Sequence, residues 1–140
     1  MTSPGNDDDT PPGWSRHSRS SPAIAAWEPI YARTEDRLFR LGIRIAERHC
    51  NSRGLLHGGV VATLADNAMG LTLGLALDGA TQGILTQSIT IDYIGAGKLG
   101  QWFEITPRLV NAGKRSGVVD ALLTADGEVV GRANASFRIV

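Results

Sequence analysis

The chain has 140 residues, close to one ordinary domain, and 14 Lys+Arg balance 14 Asp+Glu to a net charge of zero. That balance argues against a nucleic-acid binder, which shows a basic excess, and against a polybasic membrane anchor. A hydrophobic share of 42% with 20% charged residues is that of a globule, and one cysteine, Cys50, rules out an internal disulfide and a multi-cysteine zinc site.

Residues 1–20 are rich in Pro, Gly, Ser and Asp. They contain no apolar run that would serve as an export signal, and they offer too little apolar surface to offset ordering, so they read as a disordered tail. Arg16, His17 and Arg19 within them read as solvated. The absent signal and the lone cysteine make a reducing cytoplasm the default compartment. Residues 21–140 read as a single domain. Ser21 and Pro22 form a helix start, with Ala23, Ile24 and Trp27 at helical spacing, and Pro29 limits that helix to about two turns. Ile43 and Ile45 alternate with Arg44 and Ala46, which predicts a strand over 37–49.

A polar, glycine-bearing loop, NSRGLLHGG at 51–59, opens into the apolar run VVATLADNAMGLTLGLAL. The run lacks strict alternation and is too long for a strand, so a helix is predicted over about 58–77, ended by Asp78-Gly79. It is long enough to span a bilayer, but Asp66 and Asn67 at its middle are costly in lipid and mark it as a helix enclosed by its own domain. Four strands are predicted after it, over 84–94, 102–110, 116–124 and 129–140, with turn signals at Asn111-Ala112-Gly113 and Asp126-Gly127. Strands gathered after one long helix make the fold class α+β.

The first turn of a helix carries unpaired N–H groups and partial positive charge, and Gly58 and Gly59 let a ligand approach them. Such a place polarises a carbonyl or binds an oxyanion. Asp66 lies eight residues further on, about 12 Å along the axis. One chain does not easily bring both to one small substrate, whereas an antiparallel copy of the helix does, so a dimer with shared sites is expected. Each residue also has an ordinary structural reading: His57 as a helix cap, Asn51 as a turn cap, Asp66 as a structural acid. A buried carboxylate still demands a partner.

Asn51, Gly54, His57, Gly58 and Gly59 at this spacing, with Leu64-Ala65-Asp66 in the following helix, resemble the hotdog-fold acyl-CoA thioesterases, in their phenylacetate-degradation and Them-two-like branch. The run from Tyr93 to Gly100 is similar too, and the likeness covers roughly residues 36–140. It implies a curved antiparallel sheet wrapped around the long helix, and a homodimer paired into a homotetramer. It implies an acyl-CoA as substrate, with coenzyme A part of that substrate and no separate cofactor or metal.

The resemblance also implies roles. The Gly58 N–H, assisted by Asn51, polarises the thioester carbonyl; His57 orients the loop or contacts the carbonyl region; Asp66 of the neighbouring subunit acts as base or nucleophile. A water-holding hydroxyl falls on Thr86, with Ser88 a rival because alternate strand residues share a face. Gly59 lies against the substrate, and Lys98, Lys114 and Arg115 are candidate partners for the phosphates of coenzyme A. Two other readings stand beside this one. A hotdog hydratase would carry a Pro-Gly after its histidine, which His57 lacks, and a non-catalytic acyl-CoA-binding module would usually carry an added DNA-binding segment. A Cys50–His49 nucleophilic pair is disfavoured because neighbours on a strand face opposite ways.

Overall fold

A computed structural model describes residues 10–19, 21–81 and 83–140. Seven antiparallel strands form one sheet in the order β1-β2-β3-β5-β6-β7-β4. They are β1 (Ser15–Arg16), β2 (Tyr31–Glu35), β3 (Leu38–Arg44), β4 (Ile84–Tyr93), β5 (Trp102–Ala112), β6 (Ser116–Ala125) and β7 (Glu128–Ile139). One helix, α1 (Gly58–Leu77), packs across the concave face, which is the wrapped arrangement the resemblance implies.

Alternation builds that face. In β7, Gly131, Ala133, Ala135 and Phe137 are buried while Arg132, Asn134 and Arg138 are exposed. From α1, Leu64, Met69 and Leu73 meet Ile43, Ile105 and Phe137 in one core. Each such side chain contributes roughly 1.5–3 kcal/mol by leaving water. The helix comes so close that a Cβ on Gly117 of β6 would stand 2.6 Å from Leu73, so only glycine fits there without repacking.

Several expectations need correction. The segment 1–20, expected to be disordered, is ordered against the sheet where it is described: β1 pairs with β2, Trp14 packs edge-on against Trp102 at 5.2 Å, and His17 is buried. The polar average of the segment conceals two ring side chains that find partners. Residues 1–9 lie outside the described residues. The two-turn helix after Ser21 is a single 3₁₀ turn, Ala25–Trp27. The strand expected over 37–49 is β3, followed by a 3₁₀ turn at Glu47–His49, and it is preceded by the unexpected β2. The β2–β3 turn places Asp36 and Arg37 both at positive φ, +53° and +62°, a geometry usually announced by glycine.

Nor is α1 enclosed all round by this chain. Val60, Val61, Leu64, Ala65, Ala68, Met69, Thr72 and Leu73 are buried, but the flank bearing Asp66, Gly70, Leu71 and Gly74 borders an open groove. Strand β4 has no partner on its outer edge in the sheet order.

Candidate active site

Strand β4 carries an irregularity that decides which residues face the helix. Thr86 pairs with Phe137 and Ser88 pairs with Ser136, so Gln87 is an extra residue, a β-bulge. Phe137 is buried toward α1. Thr86 therefore faces α1, and after the bulge Ile89, Ile91 and Tyr93 do so, opposite Ala135, Ala133 and Gly131. Ser88 belongs to the outer face with Thr90 and Asp92. The premise that Thr86 and Ser88 share a face fails at the bulge, and Ser88 stands away from the helix.

Asp66 projects from the ninth position of α1 toward β4. The Thr86 hydroxyl donates to its Oδ1 at 2.7 Å. Both residues border a groove of about 650 Å³ that runs along α1 past Gly70 and Gly74 to Asp78, walled by Phe39 on one side and Phe137 and Ile84 on the other. The two glycines keep the helix flank low: Cβ atoms there would come within 3.6 Å of Phe137 and 3.7 Å of Ile84.

At the start of α1, the His57 ring accepts the Gly59 N–H through Nδ1 at 2.8 Å and so caps the helix. The bond uses Nδ1 as an acceptor, so Nε2 is the ring nitrogen left to meet a ligand. It also occupies the Gly59 N–H, so that group is not available to a ligand. The Gly58 N–H makes no hydrogen bond among the described residues. Tyr93, which the motif reading did not single out, reaches the same place: its hydroxyl donates to the Gly58 carbonyl at 2.6 Å, and its ring lies 3.3 Å from where a Gly58 Cβ would be. Burial pushes the Tyr93 phenol above its ordinary range. Asn51 turns inward on its own loop, its Oδ1 accepting from the N–H groups of Arg53 and Leu55 at 2.9 and 3.2 Å. It shapes the approach to His57.

Lys98 sits beside this loop, its backbone bridged to Leu55. Lys114 and Arg115 occupy the β5–β6 turn, where the Arg115 carbonyl accepts from Ile139, at the opposite end of α1. Within one chain they do not gather with Lys98, and the Gly58 N–H lies about 12 Å along the axis from Asp66. His49 is buried, with Nδ1 accepting from the Ala46 N–H and Nε2 donating to the Trp27 carbonyl. Cys50 donates to the Ala46 carbonyl, and burial raises its thiol pKa, the reverse of what a nucleophile needs. Among the described residues no cluster of three His, Cys, Asp or Glu could hold a metal ion.

A sequence profile of the thioesterase superfamily matches residues 53–131. PA0474 of Pseudomonas aeruginosa, an esterase by name, is 30% identical across 92% of this chain and 96% of its own. Human acyl-coenzyme A thioesterase 13 is 32% identical over 90 residues, 63% of each chain. A hypothetical thioesterase of Streptococcus pneumoniae, solved with coenzyme A, superposes with a TM-score of 0.72 at 25% identity, covering 84% of this chain and 93% of that one.

Proposed function

The chain belongs to the thioesterase superfamily and is a thioester hydrolase, and from that premise we propose that its substrate is an acyl-CoA, hydrolysed by a water held between Asp66 and Thr86. The hydrogen bond of 2.7 Å from Thr86 to Asp66 carries this reading. It orients the carboxylate and leaves Oδ2 free to take a proton from water. Asp66 is the general base. The groove leading away from it accepts the acyl group, and its volume lies within the range of small-molecule sites, in keeping with an aryl or a short- to medium-chain acyl group. The coenzyme A solved with the Streptococcus pneumoniae protein supports the thiol half of the substrate.

A thioester carbonyl also needs a donor for its developing oxyanion. The Gly58 N–H is that donor, supplied across a dimer: Gly58 of the partner subunit faces Asp66 of this one when two copies of α1 lie antiparallel. The open flank of α1 and the unpaired edge of β4 are where a second copy fits. The same arrangement sets Lys114 and Arg115 of one subunit at the end of the site where the other contributes Lys98, a surface of cations for the phosphates of coenzyme A. Pairing of two such dimers gives the tetramer.

Chromatographic detection of free coenzyme A from a panel of acyl-CoAs tests the reading, and avoids a thiol reagent that would also report Cys50. Wild type is expected to release it. Asp66→Asn is expected to lose about 10²–10⁴-fold in turnover, the contribution of a general base, while still binding substrate. A variant within a few-fold of wild type would remove Asp66 from the role.

A further inference from the structure

We propose, building on the thioesterase reading, that Asn67 is a specificity-determining donor in the acyl groove and that His17 is the positioning residue that aims it, so that the groove favours acyl groups bearing an oxygen acceptor. Asn67 follows Asp66 on α1 and lines the same groove, beside Arg19 and Phe39. His17 stands behind that wall. Its backbone N–H is tied to the Ile30 carbonyl at 2.8 Å, its ring packs edge-on against Phe39 at 5.4 Å between centroids, and only 9% of it is exposed.

Both ring nitrogens of His17 and Oδ1 of Asn67 are buried without completing a hydrogen bond. A buried polar atom left unpaired is costly, so a small rotation that lets the imidazole N–H donate to Oδ1 is favoured. Burial lowers the His17 pKa, and the Asn67 side chain is the main influence acting against that, as expected of an amide oxygen turned toward the ring. With Oδ1 committed to His17, the amide NH₂ faces the groove. Arg19, two residues along from His17, adds a second group on the same wall that can only donate. Of the groove's carboxylates, Asp66 is engaged by Thr86, and Asp78 is a solvent-exposed residue at the far end. The opposite wall sets apolar Ile84 and Phe137 around Thr86, whose hydroxyl proton is already committed to Asp66. A hydroxyl, ketone or carboxylate oxygen on the acyl chain satisfies the donor wall, whereas a plain chain leaves those donors desolvated and unpaired.

The test compares butanoyl-CoA with 3-hydroxybutanoyl-, 3-oxobutanoyl- and succinyl-CoA. Wild type is expected to favour at least one oxygenated member over butanoyl-CoA by roughly tenfold or more in kcat/KM, about 1.4 kcal/mol, and the preferred member identifies the acceptor. Asn67→Leu and His17→Phe are expected to bring that ratio to within about twofold of unity, and Asn67→Leu to raise kcat/KM on butanoyl-CoA, because the unpaired donor is gone. His17→Gln, which keeps an N–H donor, is expected to retain the preference; this readout separates positioning from mere packing. Dissociation constants for the same four esters, measured by calorimetry in an Asp66→Asn background, report the same ratios without turnover, so the inference is decided even where the thioesterase reading fails. Ratios near unity in wild type, or ratios that survive both Asn67→Leu and His17→Phe, overturn it.

Discussion

Thr86 spends its hydroxyl proton on Asp66, and the bond at 2.7 Å is the shortest route by which the strand can control the acid. Thr86→Ser is expected to keep turnover within a few-fold, whereas Thr86→Val loses about tenfold or more, the worth of a hydrogen bond to a charged group; steady-state kinetics on one good substrate checks both. A second residue-scale expectation concerns stability. His49 has its pKa lowered below the ordinary 6.5, by burial first and by Arg48 in addition; His17 is lowered by burial first, aided by Arg19 and opposed by Asn67 and Glu28. As pH falls through 6.5 the unfolded chain takes up protons that the folded chain resists, so stability is full above that value and declines below it. Each group contributes at most about 1.4 kcal/mol per pH unit. Melting temperature measured from pH 8 to pH 5 should fall in the acidic half, and less steeply in His17→Phe. At this scale the sequence is readable where spacing carries the chemistry: Asp66 and Gly58 stand out because a charge and two glycines interrupt an apolar run. It is unreadable where a fold brings distant residues together. Nothing local in a polar amino-terminal segment reveals that His17 meets Phe39 and Asn67.

Among the elements, those with strong alternation or length are legible in advance, and β4 through β7 and α1 fall within a few residues of their expected bounds. Strand β2 is not, because YARTE contains little alternation and its partner is brought back by a turn with no glycine. Holding Arg37 at φ +62° costs about 1–2 kcal/mol that glycine would not incur. The contact of Arg37 with Asp78 at 4.0 Å joins two exposed side chains and contributes little. Arg37→Gly is therefore expected to stabilise the protein by about 1 kcal/mol, seen as a rise of a few degrees in melting temperature with turnover unchanged. The bulge in β4 is the other feature that period counting misses, since one extra residue inverts the side-chain frame between Thr86 and Ser88.

For the molecule as a whole, the proposed site is split between subunits, and this has a quantitative signature. Asp66→Asn and Gly58→Pro are each expected to be nearly inactive as homodimers. Mixed one to one and allowed to exchange, half the dimers are heterodimers, and each of these holds one site with both native groups. Roughly a quarter of wild-type activity should return, following from two-fold symmetry alone, and an assay of the exchanged mixture reads it directly. No recovery would place both groups of a site on one chain. The extra residue at Gln87 sets which way every side chain on either side of it points along β4. A homologue shorter by one residue between Ile84 and Ile89 is not the same strand with a trimmed end: either its hydroxyl or its Ile-Ile-Tyr row must point the other way. On the proposed reading, a relative with a single gap at this point keeps a hydroxyl against the helical acid only where its Ile-Ile-Tyr row has turned outward.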